Sequence, residues 1–313
     1  MKIIVVFNMR GGIGKTTLAV TLAEGIAQFG GAKVLLADAD PQRNASLRLC
    51  PLAAVDECGH PRSGRNISKY LSDAIVGNSL PDPANYISKR CGTIHGLGHV
   101  DMLMGAHDAL DADRHFAGRC TTDGDAGKST FSKLGRAFQN LSRNLDYDVL
   151  IVDSPPGLTT IVQGALGVAN LLLVPMLAQS TSELLYGSTQ KQIERHLRAT
   201  GAVVPPALVV ATMYETAHAS FLDRIRIYFR SPLKIKKQKS LAQHELFSPE
   251  DGVTVKEKYG GPAEKELKEV SLAVLNRLGL AANESRASGK GKGGRVNVGK
   301  GGRGSAITAA RAH

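Results

Sequence analysis

The sequence predicts an α/β fold in which a mainly parallel, twisted sheet is covered by helices on both faces. Short runs of apolar, β-branched residues recur along the chain, and segments of helical length separate them. These runs are apolar at almost every position, which is typical of strands that are buried on both faces of a parallel sheet. Strands and helices that alternate in this way predict one sheet between two helical layers.

The first unit is a strand, a glycine-rich loop and a helix. Residues 2–8 form the apolar run, and glycines follow at positions 11, 12 and 14. A helix is expected over 16–31, because apolar residues recur there at helical spacing and the segment ends in two glycines, a common helix stop. Five further strands are expected at 33–39, 100–105, 147–153, 170–176 and 207–213.

We expect residues 1–282 to form one domain and residues 283–313 to form a disordered tail rich in Gly, Lys and Arg. The tail has few apolar residues, so burial cannot offset the entropy cost of ordering it. Prolines and scattered glycines predict an irregular insertion at 50–98. An exposed loop is expected over 117–127.

The chain of 313 residues carries a formal net charge of +11, and the charge is unevenly distributed. From residue 283 onward, seven basic residues and one glutamate give the tail a net charge of +6. Clustered positive charge favours a polyanionic partner such as the DNA backbone. A second basic cluster consists of Arg224, Arg226, Arg230, Lys234, Lys236, Lys237 and Lys239. Apolar residues lie between its first arginines, and this pattern predicts that part of the cluster is helical.

The sequence predicts a cytoplasmic protein without a membrane partner. No segment approaches the ~20 apolar residues of a membrane-spanning helix, and the N-terminus lacks the features of a signal peptide. The four cysteines, at 50, 58, 91 and 120, are too few and too irregularly spaced for a disulfide framework. Because no Cys-x-x-Cys pair is present, the cysteines and nearby histidines give little support for a zinc site.

The strongest motif lies between the first strand and the first helix and reads NMRGGIGKTT over residues 8–17. Its glycines allow backbone N–H groups to face a phosphate chain, and the N-terminus of the following helix adds positive potential. We expect Lys15 to neutralise the β and γ phosphates and the Thr16 hydroxyl to bind Mg²⁺. The other residues expected to bind ATP in this loop are Gly11, Gly12, Ile13, Gly14 and Thr17.

This loop resembles the deviant Walker A motif of the ParA/Soj/MinD family of ATPases, usually written KGGxGK[ST]. In that family the first lysine reaches across a sandwich dimer to the partner's ATP, and Arg10 occupies its position here. Arginine keeps the charge, but its longer, planar side chain makes the exchange non-conservative. The resemblance implies a P-loop NTPase fold, ATP and Mg²⁺ as ligands, and a homodimer in the ATP-bound state.

Three further segments are similar to sequences of this family. DADPQRNAS, which begins at Asp38, resembles DxDPQGNAS, and the resemblance implies that Asp40 positions or activates the attacking water while Asp38 supports the metal-bound network. YDVLIVDSPPG resembles YDxxxxDxPP, which implies that Asp153 holds Mg²⁺ through water. The segment around Met213 resembles TMYD, a sequence near the nucleotide base. The catalytic residues that the resemblance implies are Lys15, Asp40 and Arg10.

The similarity is closest to ParA-like partition ATPases. It implies an ATPase of slow turnover that dimerises with ATP, binds DNA non-specifically on the nucleoid and drives plasmid or chromosome partition with a centromere-binding, ParB-like partner protein. Two alternatives remain open. A MinD-like positioning ATPase is disfavoured because the tail lacks the apolar face of an amphipathic membrane anchor. The other alternative is a DNA-binding scaffold that binds ATP but does not hydrolyse it, because Arg10 has replaced the lysine.

Overall fold

The computed structural model describes residues 1–60, 64–77, 79–94, 98–122, 125–141, 145–177, 181–215, 233–241 and 252–280. Its centre is a seven-stranded parallel sheet with the order β3-β2-β4-β1-β5-β6-β7. The strands are β1 (Lys2–Val6), β2 (Lys33–Asp38), β3 (His99–Leu103), β4 (Val149–Asp153), β5 (Leu171–Leu177), β6 (Ala207–Tyr214) and β7 (Leu233–Lys236). The helices are α1 (Lys15–Gly30), α2 (Asn44–Leu49), α3 (Leu52–Gly59), α4 (Ile67–Val76), α5 (Ala109–Thr122), α6 (Asp125–Asn140), α7 (Thr160–Leu166), α8 (Thr181–Thr200), α9 (Val255–Tyr259) and α10 (Gly261–Arg277).

Helices cover both faces of the sheet, which confirms the predicted fold class. One face packs against α1, α2, α3, α9 and α10, and the other packs against α4 to α8. In β1, Ile4 and Val6 belong to the first core, whereas Ile3 and Val5 belong to the second. Burial on both faces explains why the strands are apolar at nearly every position. No helix in the described ranges combines the length and the apolar character needed to cross a bilayer.

The stretch from 50 to 98 is more regular than the sequence indicated, because it contains α3 and α4. Pro51 directly precedes α3 and does not interrupt it. Asn66 begins α4 by accepting the backbone N–H of Lys69, and Tyr70 of this helix is fully buried. The prediction of an exposed loop over 117–127 is wrong for the described residues of that stretch, because they belong to the end of α5 and the start of α6.

The described part of the basic cluster contains a strand and the first residue of a 3₁₀ turn. Residues 233–236 form β7, an edge strand that pairs with β6. Leu233 and Ile235 are buried while Lys234 and Lys236 are exposed, and this period of two belongs to a strand with one covered face. The part of the cluster that is predicted to be helical, with Arg224, Arg226 and Arg230, and the tail 283–313 lie outside the described residues.

A buried ion pair joins α1 to α9. The ammonium nitrogen of Lys258 lies 2.7 Å from Oε1 of Glu24, and both side chains are fully buried. The hydroxyl of Tyr259 donates to Oε2 of Glu24, and the Thr93 hydroxyl lies 2.7 Å from the Lys258 nitrogen. Because α1 directly follows the glycine-rich loop, this network also fixes the position of the loop.

Candidate functional site

The site lies at the carboxyl ends of the central strands. In the sheet, Asp153 at the end of β4 is in register with Asp38 on one side and with Val6 on the other. The loop after β1 therefore meets the acidic ends of β2 and β4, as expected for ligand sites in parallel sheets. A cleft of about 830 Å³ opens there, which we call the P-loop cleft. Its lining consists of Gly11, Gly12, Gly14, Lys15, Thr16, Thr17, Asp40, Asn44, Leu47, Arg48, Leu52, Pro156 and Met213.

The loop before α1 has the geometry of an anion-binding turn. Gly12 and Gly14 adopt φ values of 69° and 85°, in the left-handed region that residues with a Cβ disfavour. Gly14 is also the N-terminal cap of α1, and the first turn has neither a capping side chain nor an acidic residue. The first N–H groups of α1 and the positive end of its dipole are therefore available to a ligand in the cleft.

Buried polar side chains hold this loop to the neighbouring strands. The Asn8 amide donates to the carbonyl of Pro175 at 2.9 Å, and its Oδ1 accepts the N–H of Arg10 at 3.2 Å. The hydroxyl of Thr212, at the end of β6, donates to the carbonyl of Ile13 at 2.7 Å. The sequence analysis did not identify Asn8 or Thr212, because their contacts depend on the order of strands in the sheet.

Lys15 is buried at the centre of the site. Its ammonium group donates to the carbonyl of Arg10 at 2.8 Å. Burial lowers the pKa of Lys15, whereas the negative charges of Asp153 and Asp40 act in the opposite direction. The buried ammonium group of Lys15 therefore lies near two carboxylates. A phosphate oxygen in the cleft could accept hydrogen bonds from its other N–H groups.

Asp153 is a fully buried carboxylate without a well-formed hydrogen bond. Among the described residues, neither of its oxygens has a partner of good geometry, although Thr16 is close enough to favour its charged form. Burial, followed by the charge of Asp38, raises the pKa of Asp153 well above its usual range. Because a buried carboxylate is costly unless a cation or donors meet it, this group fits a Mg²⁺ site.

Asp38 is equally buried but fully hydrogen-bonded. Its Oδ2 accepts the N–H of Ser46 at 2.8 Å and the hydroxyl of Ser46 at 2.7 Å, and its Oδ1 accepts the N–H of Asp40 at 3.2 Å. Burial raises the pKa of Asp38 to about 6, and the hydrogen bonds from Ser46 limit the rise. Asp38 therefore fixes the start of α2.

Asp40 lies in the turn between β2 and α2 and lines the P-loop cleft. Its Oδ1 accepts the N–H of Gln42 at 2.9 Å, which leaves the second oxygen for a ligand or water in the cleft. The turn ends at Arg43, which has a positive φ of 55° and whose guanidinium lies 3.8 Å from Asp56 of α3. The position of Asp40 thus depends on a strained turn that is tied to α3.

Met213 borders the opposite side of the cleft. It has a φ of 51° and lies at an irregularity in the pairing of β6 with β7. Beside it, a second and mostly apolar pocket of about 280 Å³ continues from the cleft, with Leu18, Ile235 and Leu241 in its lining. The position of Met213 next to a nucleotide base stays a prediction, and this apolar pocket is the part of the site where a base could lie.

The lysines expected to bind DNA lie on and after β7, and two of them, Lys236 and Lys237, also line the apolar pocket beside the P-loop. Lys234, Lys236 and Lys237 are exposed, and Lys237 pairs with Glu215 at 3.4 Å. Lys239 belongs to a short 3₁₀ turn, Lys239–Leu241. In the part of the chain that is described, no group of three or more His, Cys, Asp or Glu side chains is arranged to hold a metal ion by itself.

Several known proteins are similar to this chain in sequence or in fold. Residues 1–196 match the AAA_31 family model, an AAA domain. The chromosome partitioning protein ParA of Caulobacter vibrioides is 28% identical over 218 residues, which are 69% of this chain and 70% of that protein. The sporulation initiation inhibitor protein Soj of Bacillus subtilis is 27% identical over 234 residues, or 73% and 80% of the two chains. The ATP complex of McdA from Cyanothece superimposes with a TM-score of 0.64 at 21% identity, covering 90% of this chain and 97% of McdA, which shows the shared fold. From the family model and these relatives, we conclude that the chain belongs to the ParA/Soj family of P-loop ATPases.

Proposed function

We propose that the chain slowly hydrolyses MgATP in the P-loop cleft and uses the nucleotide state to control DNA binding during plasmid or chromosome partition. The observation that carries this proposal is that Lys15 and Asp40 line one cleft at the strand ends, with the buried and unsatisfied Asp153 close enough to act on Lys15. The cleft volume of about 830 Å³ lies within the range of nucleotide-sized ligand sites. Membership of an ATPase family supports the same chemistry.

Each polar group of the cleft has a defined task in this proposal. The loop N–H groups and Lys15 bind the phosphate chain, and Thr16 and Asp153 hold Mg²⁺, Asp153 through water, with Asp38 in a supporting role. When bound, Mg²⁺ would neutralise the charge that develops during phosphoryl transfer. Asp40 orients the attacking water. Positioning and charge compensation of this kind are sufficient, because hydrolysis of a phosphoanhydride requires no covalent intermediate.

The ATP-bound form is proposed to be a homodimer whose interface covers the P-loop cleft. Several large apolar side chains that are exposed in the described residues lie on or beside the rim of the cleft: Met9, Leu47, Leu52 and Met213. Exposed apolar side chains that are grouped around a polar site favour a protein contact. Arg10 follows Met9 directly, so its guanidinium is placed to reach the nucleotide of a partner subunit.

The proposed DNA partner is supported by charge and by the names of the relatives. The lysines of β7 are exposed, and the tail carries a net charge of +6. Contacts between lysine or arginine and the DNA backbone are independent of sequence, so the selection of a replicon is assigned to a ParB-like, centromere-binding partner. The proposed location is the nucleoid within the cytoplasm, which is where such a DNA substrate is found.

Sedimentation velocity with ADP, ATP or a non-hydrolysable ATP analogue, each with and without plasmid DNA, tests this function. We expect dimers and DNA binding with ATP and its analogue, but not with ADP. Lys15→Ala should abolish nucleotide binding and remain monomeric, whereas the surface variant Lys191→Ala should behave as the wild type. Asp40→Ala should bind ATP and accumulate as a long-lived dimer, because the attacking water is no longer oriented.

Two outcomes would contradict the proposal. If calorimetry detects no Mg²⁺-dependent binding of ATP to the wild type, the P-loop assignment is wrong. If the wild type binds ATP and DNA but releases no phosphate, the chain is a DNA-binding scaffold and not an ATP-driven switch. Normal turnover in Asp40→Ala would assign the water to another residue.

A further inference from the structure

We propose that Arg48, on α2, is a second phosphate-binding cation of the nucleotide site and contacts a phosphate that ADP and ATP share. This inference rests on the proposed function, because it requires a nucleotide in the P-loop cleft. Neither the glycine-rich motif nor the segment that begins at Asp38 includes this arginine. It is the contact between two helices that brings it to the site.

The side chain of Arg48 extends from α2 to the first turn of α1. Its Nη1 donates to the hydroxyl of Thr17 at 2.7 Å. Thr17 directly follows Thr16 and, like Arg48, lines the P-loop cleft. The guanidinium therefore lies beside the helix terminus whose N–H groups are available to phosphate.

Arg48 has a charge that the described protein groups do not neutralise directly. The side chain is half-buried, and burial lowers its pKa. Within the described ranges, no carboxylate lies close enough to form an ion pair with it, whereas the neighbouring Arg43 approaches Asp56 at 3.8 Å. Tyr259, Asp153 and Glu24 influence Arg48 at longer range, and Oε1 of Glu24 is already paired with Lys258 at 2.7 Å.

An anion in the cleft would complete these interactions. Arginine has five N–H donors in a planar fork, and Thr17 accepts one of them. A half-buried cation is stabilised when an anion accepts its other donors, and phosphate matches the guanidinium geometry better than any other common ligand. Because the cleft adjoins a phosphate-binding loop, a phosphate oxygen is the anion that the geometry favours.

The position of Arg48 distinguishes it from Lys15. Asp153 influences both cations, whereas Asp40, the carboxylate assigned to the attacking water, influences Lys15 and is not among the groups that act on Arg48. Arg48 is attached to Thr17, two residues further along α1, and therefore serves a phosphate that remains after hydrolysis. Ser46 of the same helix donates to Asp38, so binding of phosphate to Arg48 would hold α2 against the site in both nucleotide states.

Titration calorimetry with Mg²⁺ and either ADP or a non-hydrolysable ATP analogue tests the assignment. Arg48→Met keeps the aliphatic stem and removes the charge, and we expect it to weaken the binding of both nucleotides about 10- to 100-fold. Arg48→Lys should recover part of this loss, because it retains a cation. Arg195→Met, an exposed arginine of α8, is the matched control and should leave both affinities unchanged.

The remaining outcomes separate this proposal from the proposed function. Unchanged affinities in Arg48→Met, with normal binding by the wild type, would overturn the role of Arg48 and leave the ATPase assignment intact. A loss for the ATP analogue alone would overturn the shared-phosphate assignment. Equal losses in Arg48→Met and Arg48→Lys, with an equally lowered melting temperature without nucleotide, would make Arg48 a structural residue. If the wild type binds neither nucleotide, the proposed function fails first.

Discussion

Two carboxylates at the ends of adjacent strands have different environments, and this difference determines what each can do. Asp38 accepts three hydrogen bonds and is satisfied without a ligand. Asp153 is buried to the same extent but has no well-formed hydrogen bond within the described structure. An identical residue type is therefore a structural acceptor in one position and a candidate Mg²⁺-binding group in the other.

Asp153→Asn should stabilise the protein without ligand and remove the effect of Mg²⁺ on nucleotide binding. The folded protein raises the pKa of Asp153, so ionising this group above its usual pKa destabilises the fold, and a neutral amide avoids that cost. In EDTA at pH 7.5, we expect the melting temperature to rise by a few degrees. The surface variant Asp146→Asn is the control, and retention of a normal Mg²⁺ effect in Asp153→Asn would contradict the metal assignment.

His196 should make the fold less stable in mild acid. Its ring packs against Phe131 with centroids 4.8 Å apart, and Nε2 is buried without a hydrogen-bond partner in the described residues. Burial lowers the pKa of His196 in the folded protein, so the imidazole binds a proton more readily in the unfolded chain. The folded state therefore loses stability relative to the unfolded chain as the pH falls through about 6.5, the ordinary pKa of histidine. His196→Phe keeps the aromatic contact and should lose less stability than the wild type between pH 7.5 and pH 5 in urea denaturation. An identical loss in both proteins would exclude His196 as a source of the dependence.

At the scale of elements, α1 is fixed by charge as well as by apolar packing. Glu24 and Lys258 form an ion pair with fully buried side chains, and Thr93 and Tyr259 donate to or accept from the same groups. A buried ion pair contributes little net stability compared with apolar packing, but loss of one partner leaves an uncompensated charge. The position of the P-loop helix therefore depends on both partners being present.

Lys258→Met should destabilise the protein by about 3–5 kcal/mol, because Glu24 remains buried without its cation. The double variant Glu24→Gln/Lys258→Met should be more stable than Lys258→Met alone, since neither member of the pair then leaves a buried charge. Urea denaturation of the wild type, Glu24→Gln, Lys258→Met and the double variant forms a double-mutant cycle that measures this coupling. Additive losses would show that the two side chains act independently.

The sequence predicted the elements whose apolar pattern is strong and did not predict those defined by contacts. The six predicted strands are present with limits that shift by at most two residues, as β6 (Ala207–Tyr214) illustrates for the expected 207–213. β7 was missed because it has only four residues and two of them are lysines. The contact between Thr212 and Ile13 spans 199 residues along the chain, and no local pattern encodes it. The same holds for Arg48, whose relation to Thr17 appears only when α2 packs beside α1.

At the scale of the whole molecule, nucleotide chemistry and positive charge are located in different parts of the chain. The P-loop cleft is formed by residues near the strand ends of the described domain. More than half of the net charge of +11 belongs to residues 283–313, and exposed lysines follow β6 on the edge strand. A mutation in the tail should therefore affect DNA binding and not nucleotide binding. Mutation of Lys236 or Lys237 can affect both, because these residues also line the apolar pocket beside the P-loop.

Deletion of residues 283–313 should reduce the salt dependence of DNA binding and leave ATP binding intact. Each phosphate that the tail neutralises contributes about 0.9 to the slope of log K against log salt concentration, because bound counterions are released. A chain in which the seven basic residues of the tail are glutamine controls for length and should show the same reduced slope as the deletion. Binding isotherms of the ATP-bound wild type and both variants on non-specific duplex DNA, at several salt concentrations, measure the slopes.

If the glutamine variant retains the wild-type slope, the tail does not contact DNA through its charge, and the lysines that follow β6 become the principal candidates. In that case Lys236→Ala and Lys237→Ala, rather than the deletion, should reduce the slope by about one unit each.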